Sequence, residues 1–278
     1  MAIGFFDGVH IGHQAILRGA TAAMTFSVHP LAVLAPERAP RLIMSEPERV
    51  AAIRACGIDR VVVLDFTPEL AALSPDEFTN RYLLRDADAT GGLCAQRMRC
   101  GENWRFGKGG AGDAAFLRRR GLAVDVVPYA LYEGGRVSSS RIRASLERGE
   151  VEAANAMLGR PFVVRGEVRV GKGVGERIGY PTENLLPIGL NLRLPLGVYE
   201  VAAGTTRGIA NYGCAPTMGA SAWREPMLEV HWLSGETDCN RLHPTAIELV
   251  RFLRPERRFE SVDALRRQIA DDCRRVMI

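Results

Sequence analysis

A change in the period of the apolar residues at Gly159-Arg160-Pro161 constrains this chain more than any other feature. Before that point, strand-like stretches at Ala2–Phe6, Ala22–Phe26, Arg60–Leu64 and Val124–Val127 alternate with helical segments, the pattern of an α/β layer structure. Ser45-Glu46-Pro47-Glu48 opens a helix that Gly57 stops, and Ser74-Pro75-Asp76-Glu77 is a capping box opening another through about Arg85. Gln96–Cys100 is polar for a central strand. Ser139–Arg148 and Val151–Leu158 read as two short helices, and the residue before Pro161 is pushed out of helical space. Beyond it the period becomes two. Phe162–Val170, Gly197–Ala202, Arg207–Tyr212, Met227–Leu233 and Thr245–Phe252 read as strands, and Ser261–Val276 as a closing helix. The expectation is a Rossmann-like parallel-sheet α/β domain over residues 1–158, then a small closed or nearly closed β-barrel with a terminal helix over 159–278.

The 278 residues allow a core in each half. With 47% apolar and 24% charged residues, the chain lies far from the composition of disordered proteins. No apolar run approaches the ~20 residues that span a bilayer, and no basic-then-apolar leader opens the chain, so neither a membrane partner nor export is expected. The six cysteines are scattered without a C-x-x-C pair and read as reduced thiols of a cytoplasmic chain. A net charge of +4 spread along the sequence gives no reason to expect a nucleic-acid partner. Only two of the 36 cations are lysines, Lys108 and Lys172, and both lie in glycine-rich loops, where a compact ammonium suits phosphate.

The segment Gly4-Phe5-Phe6-Asp7-Gly8-Val9-His10-Ile11-Gly12-His13 runs from a strand through an Asp-Gly turn to a helix start. In an open parallel sheet, ligands bind at such carboxyl ends of strands, beside a helix terminus that favours anions. His10 and His13, three apart, can share one helix face and point at one phosphate. A zinc reading is weak, because no third ligand has matching spacing.

This segment resembles the opening of the FMN adenylyltransferase module of the bacterial bifunctional riboflavin kinase/FMN adenylyltransferase (FAD synthetase) family, a branch of the nucleotidylyltransferases. The likeness continues in order through Phe26-Ser27-Val28-His29-Pro30, Gly101-Glu102-Asn103-Trp104-Arg105-Phe106-Gly107 and Ser138-Ser139-Ser140-Arg141-Ile142-Arg143. It implies adenylyl transfer, in which a phosphate oxygen of FMN attacks the α-phosphorus of ATP and pyrophosphate leaves to give FAD. Catalysis of that kind is mostly positioning and charge stabilisation. The resemblance makes His10 and His13 catalytic, places Gly4, Phe5, Phe6, Gly12, Ser139, Ser140 and Arg143 at ATP, and places His29, Asn103, Trp104 and Phe106 at the flavin. Taken alone, Ser138–Ser140 is a plain helix cap and the Trp104/Phe106 pair is plain core.

In the second half, Gly171-Lys172-Gly173-Val174-Gly175-Glu176-Arg177-Ile178-Gly179-Tyr180-Pro181-Thr182-Glu183-Asn184 holds four glycines before a proline. Its spacing is not that of a Walker A loop, and no helix is expected after it. It resembles the family's riboflavin kinase signature, which implies an ATP-phosphate flap at Gly171, Lys172, Gly173, Gly179, Pro181 and Thr182, with Thr182 and Asn184 at magnesium. If Pro181–Leu185 is extended, those two share a face, and neutral oxygens plus phosphates and water suit Mg²⁺. Asn211, in Asn211-Tyr212-Gly213-Cys214-Ala215-Pro216-Thr217, is implied at the flavin. In Leu228-Glu229-Val230-His231, alternation turns Leu228, Val230 and Trp232 to one side and Glu229 and His231 to the other. The resemblance makes Glu229 the general base for the riboflavin 5′-hydroxyl, a role a carboxylate can fill.

Several positions depart from the pattern. Only twelve residues separate His13 from Phe26, so the first crossover helix must be short. Ser27-Val28 replaces Asp-Pro, Glu176 stands before Arg177 where the flap has arginine, Glu183 replaces alanine, and Cys239-Asn240 replaces Tyr-Gly. The whole chain therefore reads as a two-activity flavin enzyme using ATP and Mg²⁺. Rival readings keep one half active, or make the chain a non-catalytic flavin-binding regulator.

Overall fold

The structure is a computed structural model and describes residues 1–84, 94–171, 173–214, 226–233 and 245–277. It forms two compact units, Met1–Ser139 and Ser140–Ile278.

In the first unit the chain runs β1 (Ala2–Ile3), α1 (Ile11–Leu17), β2 (Ala22–Phe26), α2 (Pro30–Leu34), α3 (Glu46–Ala55), β3 (Arg60–Leu64), α4 (Pro68–Ala72), α5 (Pro75–Phe78), β4 (Arg97–Gly101), α6 (Ala114–Arg119) and β5 (Ala123–Val127), followed by a small hairpin of β6 (Leu131–Tyr132) and β7 (Gly135–Arg136). The five main strands form a parallel sheet in the order β3-β2-β1-β4-β5. Alternation sends Ile3, Met24 and Met98 to one face, with Phe78, Leu83 and Leu117, and Ala2 and Ala23 to the other, with Leu17, Ile53 and Ile58. Both faces are thus covered, as a parallel sheet requires.

Local chemistry starts the helices where expected. The Glu48 carboxylate accepts from Ser45 N–H at 2.8 Å, and Glu77 accepts from Ser74 N–H at 2.8 Å. The helix after Ser74 departs from expectation: it has one α turn and then a π-helical stretch at Thr79–Leu84, and its end at Arg85 lies outside the described residues. Thr79 Oγ1 bonds back to Pro75 O at 2.7 Å, the kind of side-chain competition that distorts a helix. β1 is also shorter than Ala2–Phe6. The chain turns away after Gly4, whose N–H donates to Met24 O at 3.1 Å. α1 has seven residues, the short crossover that the spacing demands.

The second unit contains α7 (Ser139–Glu147, which begins at the seam), α8 (Val151–Leu158), β8 (Phe162–Arg169), α9 (Val174–Arg177), β9 (Glu183–Pro187), β10 (Gly197–Ala203), β11 (Thr206–Gly213), β12 (Met227–Trp232), β13 (Ala246–Pro255) and α10 (Val262–Met277). Six strands close into a barrel in the order β10-β11-β12-β9-β8-β13. α9 is one helical turn inside the glycine loop, and the loop leads into the strand β9 rather than a helix. α10 packs Cys273 and Val276 against Val198 and Ile209 of the barrel.

The period changes at Gly159, whereas the second compact unit starts at Ser140. α8 buries Val151, Ala154, Met157 and Leu158, and Asn155 Nδ2 donates to Leu249 O at 2.8 Å while its Oδ1 accepts from Phe162 N–H at 2.8 Å. A fragment from Ser140 should therefore unfold cooperatively. One from Gly159 loses these contacts and should be less stable by on the order of 5 kcal/mol, since each large apolar side chain contributes about 1.5–3 kcal/mol. Equal chemical-denaturation midpoints for the two fragments would contradict this placement of α8.

Candidate functional site

In the first unit the strand order reverses between β1 and β4, because the chain proceeds outward from β1 through β2 to β3 and then returns to β4. In open parallel sheets ligands bind outside the carboxyl ends of the strands at such a reversal, where the loops leaving β1 and β4 begin. The β1 loop is strained: Phe6 has φ +58° and Val9 φ +39°, values that cost L-residues on the order of 1–3 kcal/mol each. Surrounding bonds fix it. Thr25 Oγ1 donates to Phe5 O at 3.0 Å, Ile43 N–H donates to the buried Asp7 carboxylate at 3.0 Å, Gln14 Nε2 donates to Val9 O at 2.9 Å, and Ser139 Oγ donates to Asp7 O at 2.8 Å. Backbone strain held by this many surrounding bonds is of the kind that clusters at functional sites.

The loop delivers two imidazoles. His10 caps α1, its Nδ1 accepting from His13 N–H at 3.2 Å, which leaves the His10 proton on Nε2. The two rings stack at 3.6 Å between centroids, and His13 meets the edge of Phe6 at 5.3 Å. Burial, and next the neighbouring His10, hold the His13 pKa well below its ordinary 6.5, and its Nδ1 is buried without a protein partner. The unfolded chain therefore takes up a proton below about pH 6.5 that the folded unit refuses, so stability falls as pH falls through that window. The loss should reach about 1 kcal/mol per pH unit. It is measured as denaturation midpoints between pH 7 and pH 5, and a His13→Gln variant with the same slope would contradict it.

Other predicted residues stand as follows. Phe5 meets His29 edge to face at 4.8 Å, and His29 caps α2 by accepting from Leu31 N–H at 3.1 Å, so both stand at the strained loop. Asn103 is exposed; Trp104 stacks on Phe106 at 4.7 Å, and Phe106 is buried in the core with Phe78 and Phe116. Of that pair, Trp104 is the one left half-buried. Ser140 and Arg143 lie on α7, where Arg143 Nη2 donates to Ser140 Oγ at 3.1 Å.

In the barrel, register brings three predicted residues into one row: Asn211 on β11 is opposite Glu229 on β12, and Glu229 is opposite Asn184 on β9. Leu228, Val230 and Trp232 are buried while Glu229 and His231 are half-buried, as alternation requires. Glu229, Asn211 and Thr182 line a cavity of about 690 Å³. Burial, then the nearby Glu256 carboxylate, raises the Glu229 pKa. Asn211 Nδ2 donates to Glu256 Oε1 at 3.3 Å. The glycine loop closes on this row: a Cβ on Gly171 would lie 2.1 Å from Asn184 Nδ2, and one on Gly175 would lie 2.3 Å from Tyr180 O and 3.0 Å from Thr182 Oγ1. Gly173 and Gly179 both have positive φ. Lys172, Ala215–Thr217, Cys239 and Asn240 lie outside the described residues.

The FAD synthetase family model matches residues 1–141 and the riboflavin kinase family model matches residues 158–277. The chain belongs to the bifunctional riboflavin kinase/FMN adenylyltransferase family. The Escherichia coli K12 relative of that name is 32% identical over 291 residues, covering 98% of this chain and 90% of its own. The Bacillus subtilis relative is 32% identical, covering 98% and 89%, and the Pseudomonas fluorescens relative is 33% identical, covering 97% and 89%. A solved structure titled macrolide-efflux protein from Streptococcus pneumoniae superposes with a TM-score of 0.83 at 27% identity, covering 99% of this chain and 93% of that one. The efflux wording of that title has no counterpart in the two family models that match here. Among the described residues, no helix is long and apolar enough to cross a membrane.

Several residues packed near these side chains were not singled out from sequence. Glu256 ends the stretch Arg251-Phe252-Leu253-Arg254-Pro255-Glu256, which continues the family likeness, but its contact with Asn211 depends on β10 pairing with both β11 and β13. The apolar stripe Leu265 and Ile269 of α10, which lines the cavity, was legible as helical spacing. Arg49 is fully buried on α3: its Nη2 donates to Phe26 O at 2.6 Å and its guanidinium lies 4.2 Å from the Phe5 ring centre. A charged helical residue ordinarily reads as exposed, which hid it. Glu183 has a structural account: its carboxylate accepts from Trp232 Nε1 at 2.9 Å.

Proposed function

We propose that the chain makes both flavin cofactors. Its barrel phosphorylates riboflavin with ATP to give FMN and ADP, and its α/β unit joins FMN to the AMP portion of ATP to give FAD and pyrophosphate. The observation that carries this reading is that each matching family model falls on one built site: the strained double-histidine loop in one, the Asn211–Glu229–Asn184 row in the other.

In the barrel, Glu229 accepts the proton of the riboflavin 5′-hydroxyl as its oxygen attacks the γ-phosphorus. Partial burial strengthens the carboxylate as a base, consistent with its raised pKa. Gly171, Gly173 and Gly179 let the loop backbone approach phosphates, and Asn211 and the apolar wall toward α10 take the flavin. In the α/β unit, His10 and His13 donate hydrogen bonds as charge builds on the α-phosphoryl oxygens. Gly4, Phe5, Phe6, Gly12 and Ser139 hold ATP, and His29, Asn103 and Trp104 hold the flavin, with Phe106 supporting Trp104 from the core.

Mg²⁺ fits the donors present. Thr182 lines the cavity with Glu229, Asn184 is opposite Glu229 in the strand register, and both pack under the glycine loop, so a hydroxyl and a carboxamide oxygen would hold the ion and leave positions for phosphates and water. When bound there, the ion neutralises phosphate charge. ATP as the shared substrate points to the cytoplasm. The test is incubation of the chain with riboflavin, ATP and Mg²⁺, followed by chromatography of the flavins. FMN and then FAD should form; bound but unaltered riboflavin would replace this reading with that of a flavin-binding regulator.

A further inference from the structure

Proline ends a β ladder, because it lacks the N–H that would continue it. β12 and β9 pair through Leu228↔Leu185, Glu229↔Asn184 and Val230↔Glu183, and the pairing stops there. Thr182 and then Pro181 lie beyond this pairing, and among the described residues no backbone N–H donates to the Pro181 carbonyl. Such a group needs a partner. His231, the next residue on β12, supplies one from its side chain: its Nδ1 lies 2.9 Å from Pro181 O. A carbonyl only accepts, so Nδ1 carries the proton. The same ring meets Tyr180 edge to face at 5.2 Å.

On its other side this segment is gripped by the glycine loop. Tyr180 N–H donates to Gly175 O at 2.8 Å, and Gly175 approaches so closely that it has no room for a Cβ. Tyr180-Pro181 is thus clamped between β12 and α9, immediately before Thr182, whose side chain lines the same cavity as His231. The loop's bonds are local and move with it. β12 holds the far end of the segment through its pairing with Glu183 and Asn184 and through the Trp232–Glu183 bond, and among the described residues the bond from His231 extends that hold past Thr182 to Pro181.

We infer that His231 is a positioning residue for ATP: its Nδ1–H, through the Pro181 carbonyl, fixes Thr182 and the base of the glycine loop relative to Glu229. The inference rests on the barrel being the kinase site, and two variants isolate it. His231→Phe keeps a ring against Tyr180 and removes the donor. His231→Asn places an amide N–H near the Nδ1 position and removes the ring. Two readouts are taken on the full chain: hydrogen exchange of the peptide spanning residues 174–184, and riboflavin phosphorylation resolved into kcat and the KM values for ATP and riboflavin.

Losing a bond of this kind is worth on the order of tenfold. His231→Phe should therefore speed exchange of that peptide and raise the KM for ATP about tenfold, with the KM for riboflavin unchanged and FMN adenylylation intact. His231→Asn should restore both. Unchanged exchange in His231→Phe, or faster exchange with an unchanged KM for ATP, would overturn the inference, as would failure of His231→Asn to restore either readout. Absence of riboflavin phosphorylation in the unaltered chain would overturn the kinase reading instead, and the exchange arm would still decide whether His231 holds the segment.

Discussion

His13→Ala is expected to lower FAD formation from FMN by on the order of 10²–10³, the effect of removing one donor from a preorganised transition-state site. Riboflavin phosphorylation should continue, so FMN accumulates. The effect originates in the β1 loop. Its backbone is strained at Phe6 and Val9, is fixed by Thr25, Ile43, Gln14 and Ser139, and delivers His13 stacked on His10 with a buried Nδ1 that no protein group satisfies. A histidine wanted only for packing would not leave a polar atom unpaired inside a loop that costs energy to hold. The barrel reaction serves as an internal control, since its proposed residues lie on other elements. Wild-type rates of FAD formation in the variant would remove His13 from the mechanism.

Glu229→Gln should lower riboflavin phosphorylation by on the order of 10²–10⁴, the range for loss of a general base. Glutamine keeps the size and the strand position, so the β11–β12–β9 ladder should persist. FMN supplied directly should still be converted to FAD. The carboxylate is half-buried beside Glu256, and its raised pKa reflects that desolvation first. A solvated surface glutamate would show neither feature. Normal phosphorylation by the variant would reduce Glu229 to a lining residue.

The parts of this account that were legible in sequence are those with a local period or a local cap. The switch to period two gave a barrel, the capping serines Ser45 and Ser74 gave helix starts, and alternation along β12 separated Leu228, Val230 and Trp232 from Glu229 and His231. What could not be read depends on pairing between distant strands or on competition within a turn. The row Asn211–Glu229–Asn184 exists only once the register of three strands is known. The π-helical stretch after Phe78 and the single turn at Val174–Arg177 have no periodic signal, because both are shorter than the pattern that would reveal them. Arg49 inverted the usual rule for charge on a helix. Its guanidinium is buried against Phe5 and the end of β2, and burial lowers its pKa.

The central claim is that one chain transfers two different portions of ATP to one flavin. The most direct measurement supplies riboflavin, Mg²⁺ and ATP radiolabelled either at the γ-phosphorus or at the α-phosphorus, and follows the label in the separated flavins. The γ-label should enter FMN and persist in FAD, whereas the α-label should be absent from FMN and enter FAD as pyrophosphate is released. Label confined to FMN in the first arm with unlabelled flavin in the second, or no label in any flavin, would contradict the claim.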